Sequence, residues 1–463
     1  MMSIIGILDT TKLALSSFQA AIDITGSNIS NVNTPGYSRQ RPVFSSVGSI
    51  DVRAAKIKVG VEVSDVERIY NNFLRDQINE RSSVTGYYEA LSTSLESVEI
   101  IFDETSGSGI NGLLNQFWNA WSDVSNNPEG QVERDALISS AESLCASIND
   151  YGNALESVRE DAENNIQETV VEINNLISSI ADVNRKIREA GSEQGNSNIL
   201  QDKRDEYLKE LCSTINANYF IDSSGALNVF LPNGEPLVEK EFSWQLRLSS
   251  ETSETNPPYH HITKVGSSDS LDEVITGGKI GALLDVRDMI VKNYQDNLDS
   301  FAAGLVTQIN DQHHQGYDQY KNIGSDFFDP TATDSKSMRV NSELAADLKK
   351  IAASSSILGD GANAVQISAL KDNEAAMNGI FTFNNYVASL IGKIGQDVAD
   401  AKTNVEHQNI VMSQLDRQRE GISGVSIDEE MMKLIQYQMG YNAAGRLCSI
   451  INEMLDTLIN LGR

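Results

Sequence analysis

Cysteine is scarce in this chain, and the little there is excludes two common uses. Cys145, Cys212 and Cys448 are three among 463 residues, odd in number and far apart. With no C-x-x-C pair and no histidine at ligand spacing, neither a disulfide framework nor a cysteine-based zinc site fits. All three sit in helix-like sequence, where a thiol serves as a small apolar side chain. Histidine is almost as rare. His260-His261 and His313-His314 are adjacent pairs whose side chains diverge on a helix or strand, so a metal would need ligands from elsewhere. Positive charge is also short: Lys+Arg 36 against Asp+Glu 65 gives 36 − 65 = −29. That surplus repels nucleic-acid phosphates and anionic lipid, so neither is expected as a partner. No apolar run approaches the roughly 18 residues of a membrane helix. The start, MMSIIGILDTTK, has no basic leader and no apolar stretch suited to a cleaved signal peptide, so any export is expected by another route. Nucleophile elbow, metalloprotease helix and phosphate-cradling loop are all missing, and Gly277-Gly278-Lys279 lacks the P-loop frame. Catalytic, cofactor-binding and metal-ligating residues are therefore expected to be none.

Periodicity at the two ends is what the chain does have. Ile4, Leu8, Thr11, Leu15, Phe18, Ile22, Thr25, Ile29 and Val32 alternate steps of four and three, a heptad seam. A second seam runs through Ile427, Glu430, Leu434, Tyr437, Tyr441, Ala444, Cys448, Ile451, Leu455 and Leu458. Ser426-Ile-Asp-Glu429 reads as a capping box at its start. Two seams of similar length, one at each end, can pair as a coiled coil. Charge is nearly absent from both segments. Residues 1–33 hold only Asp9, Lys12 and Asp23, and residues 434–461 only Arg446, Glu453 and Asp456. The flanking positions read as small and uncharged, and Thr11, Thr25 and Glu430 weaken the seam. These helices are expected to be poorly ordered alone and to gain order when neighbouring copies cover them. A pair packed on the protein's own body is the alternative. The expected assembly interface is Leu8, Leu15, Phe18, Ile22, Ile29, Leu434, Tyr441, Cys448, Ile451, Leu455 and Leu458. Directly after the first seam stands NISNVNTPGYSRQ (28–40). Asn31 and Asn33 suit a helix end with a left-handed residue, and Pro35-Gly36 suits a type II turn. Asn31, Pro35, Gly36 and Tyr37 are the expected junction turn.

The middle is helical with one interruption. VGVEVSDV (59–66) reads as a short strand leading into a helix from about Glu67. Helical patterns run near 67–102, 111–124, 131–190, 199–215, 281–311 and 373–420. From about 216 to 276 the period changes to two: Phe242, Trp244, Leu246 and Leu248 alternate with polar residues, and Asn233-Gly234 marks a hairpin. LQDKRDEYL (200–208) echoes LLDVRDMIV (283–291), each read as a salt-bridged helix start. The fold class is thus mainly α with a smaller β part: terminal coiled-coil helices, a long helical-bundle body and an inserted small β-domain. The expected division is 1–60 plus 402–463 for the terminal coiled-coil domain, 61–215 plus 285–401 for the helical body, and 216–284 for the β-domain.

NISNVNTPGYSRQ, with Asn28, Asn31, Thr34, Pro35, Gly36 and Tyr37 in place, resembles the N-terminal signature of bacterial flagellar rod, hook and hook-associated proteins. GVSIDEEMMKLIQYQMGYNAAGRLCSIINEMLDTLINL (424–461) is similar to their C-terminal signature. FWNAWSDVSNNPEG (117–130), ILQDKRDEYLKEL (199–211), GGKIGALLDVRD (277–288) and GSDFF (324–328) point to the hook-associated branch. The chain is short between Phe328 and Met338, where some members carry a further β-domain. The resemblance implies a non-catalytic structural subunit, secreted without a cleaved signal through type III export. It implies assembly as a ring at the hook–filament junction, in contact with hook protein and the next junction protein. It also implies an export chaperone on the C-terminal helix. The alternatives are a hook or rod subunit, or a secreted cell-wall hydrolase on a flagellar scaffold.

Overall fold

The computed structural model describes residues 4–52, 55–102, 109–191, 194–252, 259–355, 360–374 and 381–461. Its longest element is α4, Gln131–Ala190, an unbroken helix of 60 residues. At 1.5 Å per residue it spans about 90 Å. No proline interrupts it, and its apolar positions keep the helical period throughout, so one side can bury along the whole length. Two cores form on that side in succession. Leu137, Leu144, Ile148 and Leu155 enter the first, together with α2 (Asn72–Ile101), α3 (Ile110–Asn126), α7 (Val291–His313) and α10 (Phe383–Ser423). Phe117, Trp118 and Trp121 of α3 fill its centre against Phe327, Phe328 and Phe383. The short helices α8 (Ser342–Ala346) and α9 (Ala362–Ala369) close one flank.

Ile166, Val170, Ile173, Ile177 and Ile180 enter the second core with α5 (Gln194–Thr214), α6 (Gly278–Asp285) and two small sheets. One sheet has the antiparallel order β3-β4-β5-β6 (Asn218–Ile221, Leu227–Phe230, Pro236–Glu239, Phe242–Ser243). The other pairs β7 (Leu246–Thr252) with β8 (His260–Lys264). The β part is therefore a layer on the far half of α4 and shares its core with α5 and α6.

The chain ends form a separate arm. α1 (Ile4–Ser30) packs on α11 (Ile427–Leu461) and on a long antiparallel hairpin, β1 (Gln40–Val52) with β2 (Ala55–Arg68). Several local expectations change here. Glu67 and Arg68 are still in β2, paired with Arg41 and Gln40. The next helix starts at Asn72 because Asn71 caps it, its side chain accepting from the Leu74 N–H at 3.3 Å. The hairpin crosses residue 60, so a boundary there divides β2. α10 starts at Phe383, ten residues later than its pattern, where the Thr382 side chain accepts from the Asn385 N–H. The 242–248 alternation is cut in two: Phe242 is 64% exposed on β6, whereas Leu246 is buried on β7 of the other sheet.

Candidate functional site

α1 and α11 run antiparallel. Asn28 meets Glu430 at one point, and ten residues further along each helix the Phe18 ring covers Gly440. A Cβ at Gly440 would lie 2.6 Å from ring carbons of Phe18, so glycine is what permits the contact. The hairpin covers α1 from another side: Ser17 Oγ donates to the Val61 carbonyl at 2.8 Å. It also reaches α11, with the Phe44 and Tyr437 rings 6.1 Å apart.

This arrangement shifts the buried line of α1. Thr11, Ser17, Ala21, Thr25 and Asn28 are buried, while Leu8, Leu15, Phe18, Ile22 and Ile29 are only half-buried. A helix gripped from two sides takes small side chains at the closest approach. Thr11 and Thr25 stay satisfied there by donating to the carbonyls of Ile7 and Ala21, each at 2.8 Å. On α11 the inward side carries buried Glu430, Ala444 and Ile451, with Leu434, Tyr437, Cys448 and Leu455 half-buried. Tyr441 departs from the expected seam: it is exposed, and Gly440 takes the inward place. The Leu458 side chain lies outside the described residues.

The outward side of α11 departs from the expectation of small, uncharged flanks. It is large and apolar, with Arg446 and Glu453 among its charges beyond the first turn: Met431, Met432, Ile435, Met439, Leu447, Ile450 and Met454 are each at least 44% exposed. The sequence signal for it is a second three-four spacing at 432, 435 and 439, offset from the first and resumed at 450 and 454.

Where α1 ends, Glu430 is 1% exposed and organises the junction. It accepts from Asn28 Nδ2 at 2.8 Å, Arg39 Nε at 2.9 Å and Lys433 Nζ at 3.1 Å. Asn28 Oδ1 accepts from the Tyr37 hydroxyl at 2.8 Å and the Gln40 N–H at 2.9 Å, while Nδ2 also donates to the Gln40 carbonyl. Every hydrogen-bonding capacity of that amide is used. Burial, with Asp202 and Glu430 nearby, raises the Tyr37 phenol above its ordinary value. Glu430 is thus the centre of the seam end rather than a weakness in it. The capping box does not close either, because Glu429 pairs with Arg39 at 2.9 Å. The turn runs from Thr34 to Tyr37, whose N–H donates to the Thr34 carbonyl at 3.2 Å with Gly36 at φ +77°. Asn31 and Asn33 keep negative φ. Asn31 instead donates to the Ser27 carbonyl from both its backbone N–H, at 3.1 Å, and its side chain, at 2.9 Å, which closes the helix without a left-handed residue.

The paired Arg-Asp motifs are not helix starts. Arg204 lies mid-helix, buried, and donates to Asn184 Oδ1 and the Gly225 carbonyl, tying α5 to α4 and the β layer. Arg287 is buried in a π-turn (Val286–Ile290) between α6 and α7, bonded to Glu163 and Asp288. His260 faces Glu163 and His261 faces Asp272, at 2.8 and 2.7 Å. Among the described residues no group of three or more His, Cys, Asp or Glu could hold a metal, and no helix is long and apolar enough to cross a membrane.

The helical domain of flagellar hook-associated protein FlgK matches residues 95–328, half of the chain and most of both cores. The chain belongs to the FlgK family. Two further family patterns fall on the arm: flagella basal body rod protein over 8–37, on α1 and its turn, and the flagellar basal body rod FlgEFG protein C-terminal region over 420–461, on α11. Flagellar hook-associated protein 1 of Bacillus subtilis is 27% identical over 98% of this chain and 97% of its own. That of Escherichia coli is 25% identical over 98% and 99%. The latter comparison extends over 552 positions, so at least 552 − 463 = 89 of them have no counterpart here. A solved structure of the flagellar hook junction protein FlgK from Burkholderia pseudomallei shares the fold, with a TM-score of 0.67 and 16% identity, covering 75% of this chain and all of that one. As a FlgK-family member the chain is a structural, hook-associated component of the flagellum.

Proposed function

We propose that this chain forms the junction ring between hook and filament, assembling through α1 and α11 with its body outside them and the β layer outermost. The carrying observation is the outward stripe of α11: seven large apolar side chains, at least 44% exposed, on a chain of net charge −29. Water contact with apolar surface costs about 25 cal/mol per Å². Neighbouring arms, of further copies, of hook protein and of the next junction subunit, would remove it. The same stripe would polymerise too early in the cytoplasm, which supports a chaperone seated on α11 before type III export without a cleaved signal. The destination is the extracellular flagellum. Catalysis has no part in this reading: Asn28, Tyr37, Arg39 and Glu430 are spent on one another, and the relatives are structural flagellar proteins. The axial unit is proposed as α1, the hairpin and α11. The tight loop from Asp329 to Arg339, closed by their ion pair at 2.6 Å, is proposed as the place where longer relatives carry their additional domain.

The test replaces Met439, 69% exposed, with Asp. A surface change of this kind should move monomer stability by no more than about 0.5 kcal/mol. Incorporation at hook tips, followed by electron microscopy of a complemented deletion strain, should be lost. Normal incorporation of Met439→Asp would refute the assembly reading.

A further inference from the structure

Neither hydrophobic core reaches into the arm. Among the described residues, both cores and the side chains packed on them lie between Tyr87 and Ala401, whereas the arm ends before Asn71 and resumes after Ser423. Polar ties make the joint. Ser38 N donates to Asp202 Oδ2 at 3.0 Å, Asn198 Nδ2 donates to the Val66 carbonyl at 2.6 Å, and Arg68 pairs with Asp202 at 3.3 Å and with Asp205. Arg39 N donates to the Ser423 carbonyl at the end of α10, at 2.9 Å. Residues 198, 202 and 205 are spaced four and three, so they form one stripe of α5 turned to the arm.

Arg68 Nε and Asp202 Oδ1 are buried and face each other at 3.3 Å as an ion pair outside hydrogen-bond geometry. Beside them is a cavity of about 60 Å³ bordered by Gly36, Tyr70, Leu74 and Arg419. A contact that is polar, loosely packed and outside both cores is the kind that opens without unfolding either neighbour.

We propose that Asp205 and Arg68 are positioning residues forming an ionic latch that sets the angle at which the arm leaves the body, with the buried Asp202 beside them tuning its strength. It rests on the junction reading for its purpose, since a subunit between two different tubes must aim its arm. The latch responds to acidity with a defined sign. Burial raises the Asp202 carboxyl to about 6, opposed by Arg68 and the Ser38 N–H. The groups that face it are Arg68 on β2, Arg75 on α2, Asp205, Glu206 and Lys209 on α5, Arg419 on α10 and Tyr37 in the turn. An open joint returns Asp202 to water and to its ordinary range. The closed joint therefore binds the proton more tightly, and closure strengthens as pH falls through about 6. At pH 8 the Asp205–Arg68 pair is the main hold.

The test is pulsed electron resonance between spin labels on the full-length monomer. Labels go on Ser64→Cys in the arm and Ser143→Cys on α4, with Cys448→Ser so that the remaining native thiols are buried. The distance distribution should narrow by half or more from pH 8 to pH 5. Asp202→Asn should remove that pH response, and Asp205→Ala should at least double the width at pH 8. An unchanged width between the two pH values, a retained response in Asp202→Asn, or a wild-type width in Asp205→Ala would each overturn the latch. These distances are read in dilute monomer, so such a failure leaves the junction reading standing. A failure of the Met439→Asp test leaves the latch standing.

Discussion

Asn28 and Glu430 carry more of the arm's geometry than any apolar pair in it, because a buried charge with matched donors accepts one register and rejects the next. Asn28→Ala would leave the Tyr37 hydroxyl and the Gln40 N–H without an acceptor at a buried site, a loss on the order of 1–3 kcal/mol. Cleavage by trypsin at Lys12, which requires the arm to open, should then accelerate by roughly tenfold or more, and an unchanged rate would show that the network is dispensable. His313 makes the opposite kind of contribution, deep in the first core. Its Nε2 accepts from the Ala352 N–H at 2.8 Å, Nδ1 faces the Ser325 carbonyl, and full burial lowers its pKa to about 4. The folded state refuses a proton that the unfolded chain takes up near 6.5. Stability is therefore complete above that value and declines as pH falls toward 4, by at most about 3 kcal/mol. Thermal melts should show this decline, and His313→Gln should flatten it. An equally steep decline in the variant would assign the effect to other groups.

Elements are legible in the sequence wherever one period runs long enough to dominate. α4, α5 and the terminal helices show it, and the turn at Asn233-Gly234 is legible too, with Gly234 at positive φ. Boundaries escape where a single polar side chain decides them. Asn71 and Thr382 set the starts of α2 and α10, and hydrophobic periodicity carries no record of such caps. The long hairpin is only half-visible because β2 alternates Val59, Val61 and Val63 while β1 carries no such run. The site is harder to read. Heptad spacing locates the two helices that pair, yet it misjudges the face of α1, since the tightest contact of a helix held from two sides selects Ala, Ser and Thr. Tyr441 is misplaced for the same reason: Gly440 looks like an interruption in sequence and is the point of closest approach in space. Asp202 and Asp205 look in sequence like partners of their neighbour Arg204. Their true counterpart, Arg68, stands more than 130 residues earlier, a distance that no local pattern spans.

Taken whole, the molecule is a two-core body with an arm held by polar contacts, and the two should come apart in order of strength. Limited proteolysis of the monomer should trim the arm first, up to about residue 70 and from about 424, and leave a resistant fragment. Early cuts within α4 with the arm still intact would contradict that order. The antiparallel pairing of α1 with α11 has a practical corollary for anyone tagging the protein. The start of α1 and the end of α11 lie together at the end of the pair away from the Asn28–Glu430 contact, so a fusion beyond either one would be carried into the same crowded spot. The Asn233-Gly234 turn, outside the arm and with open space around Gly234, offers an attachment point that leaves that end free.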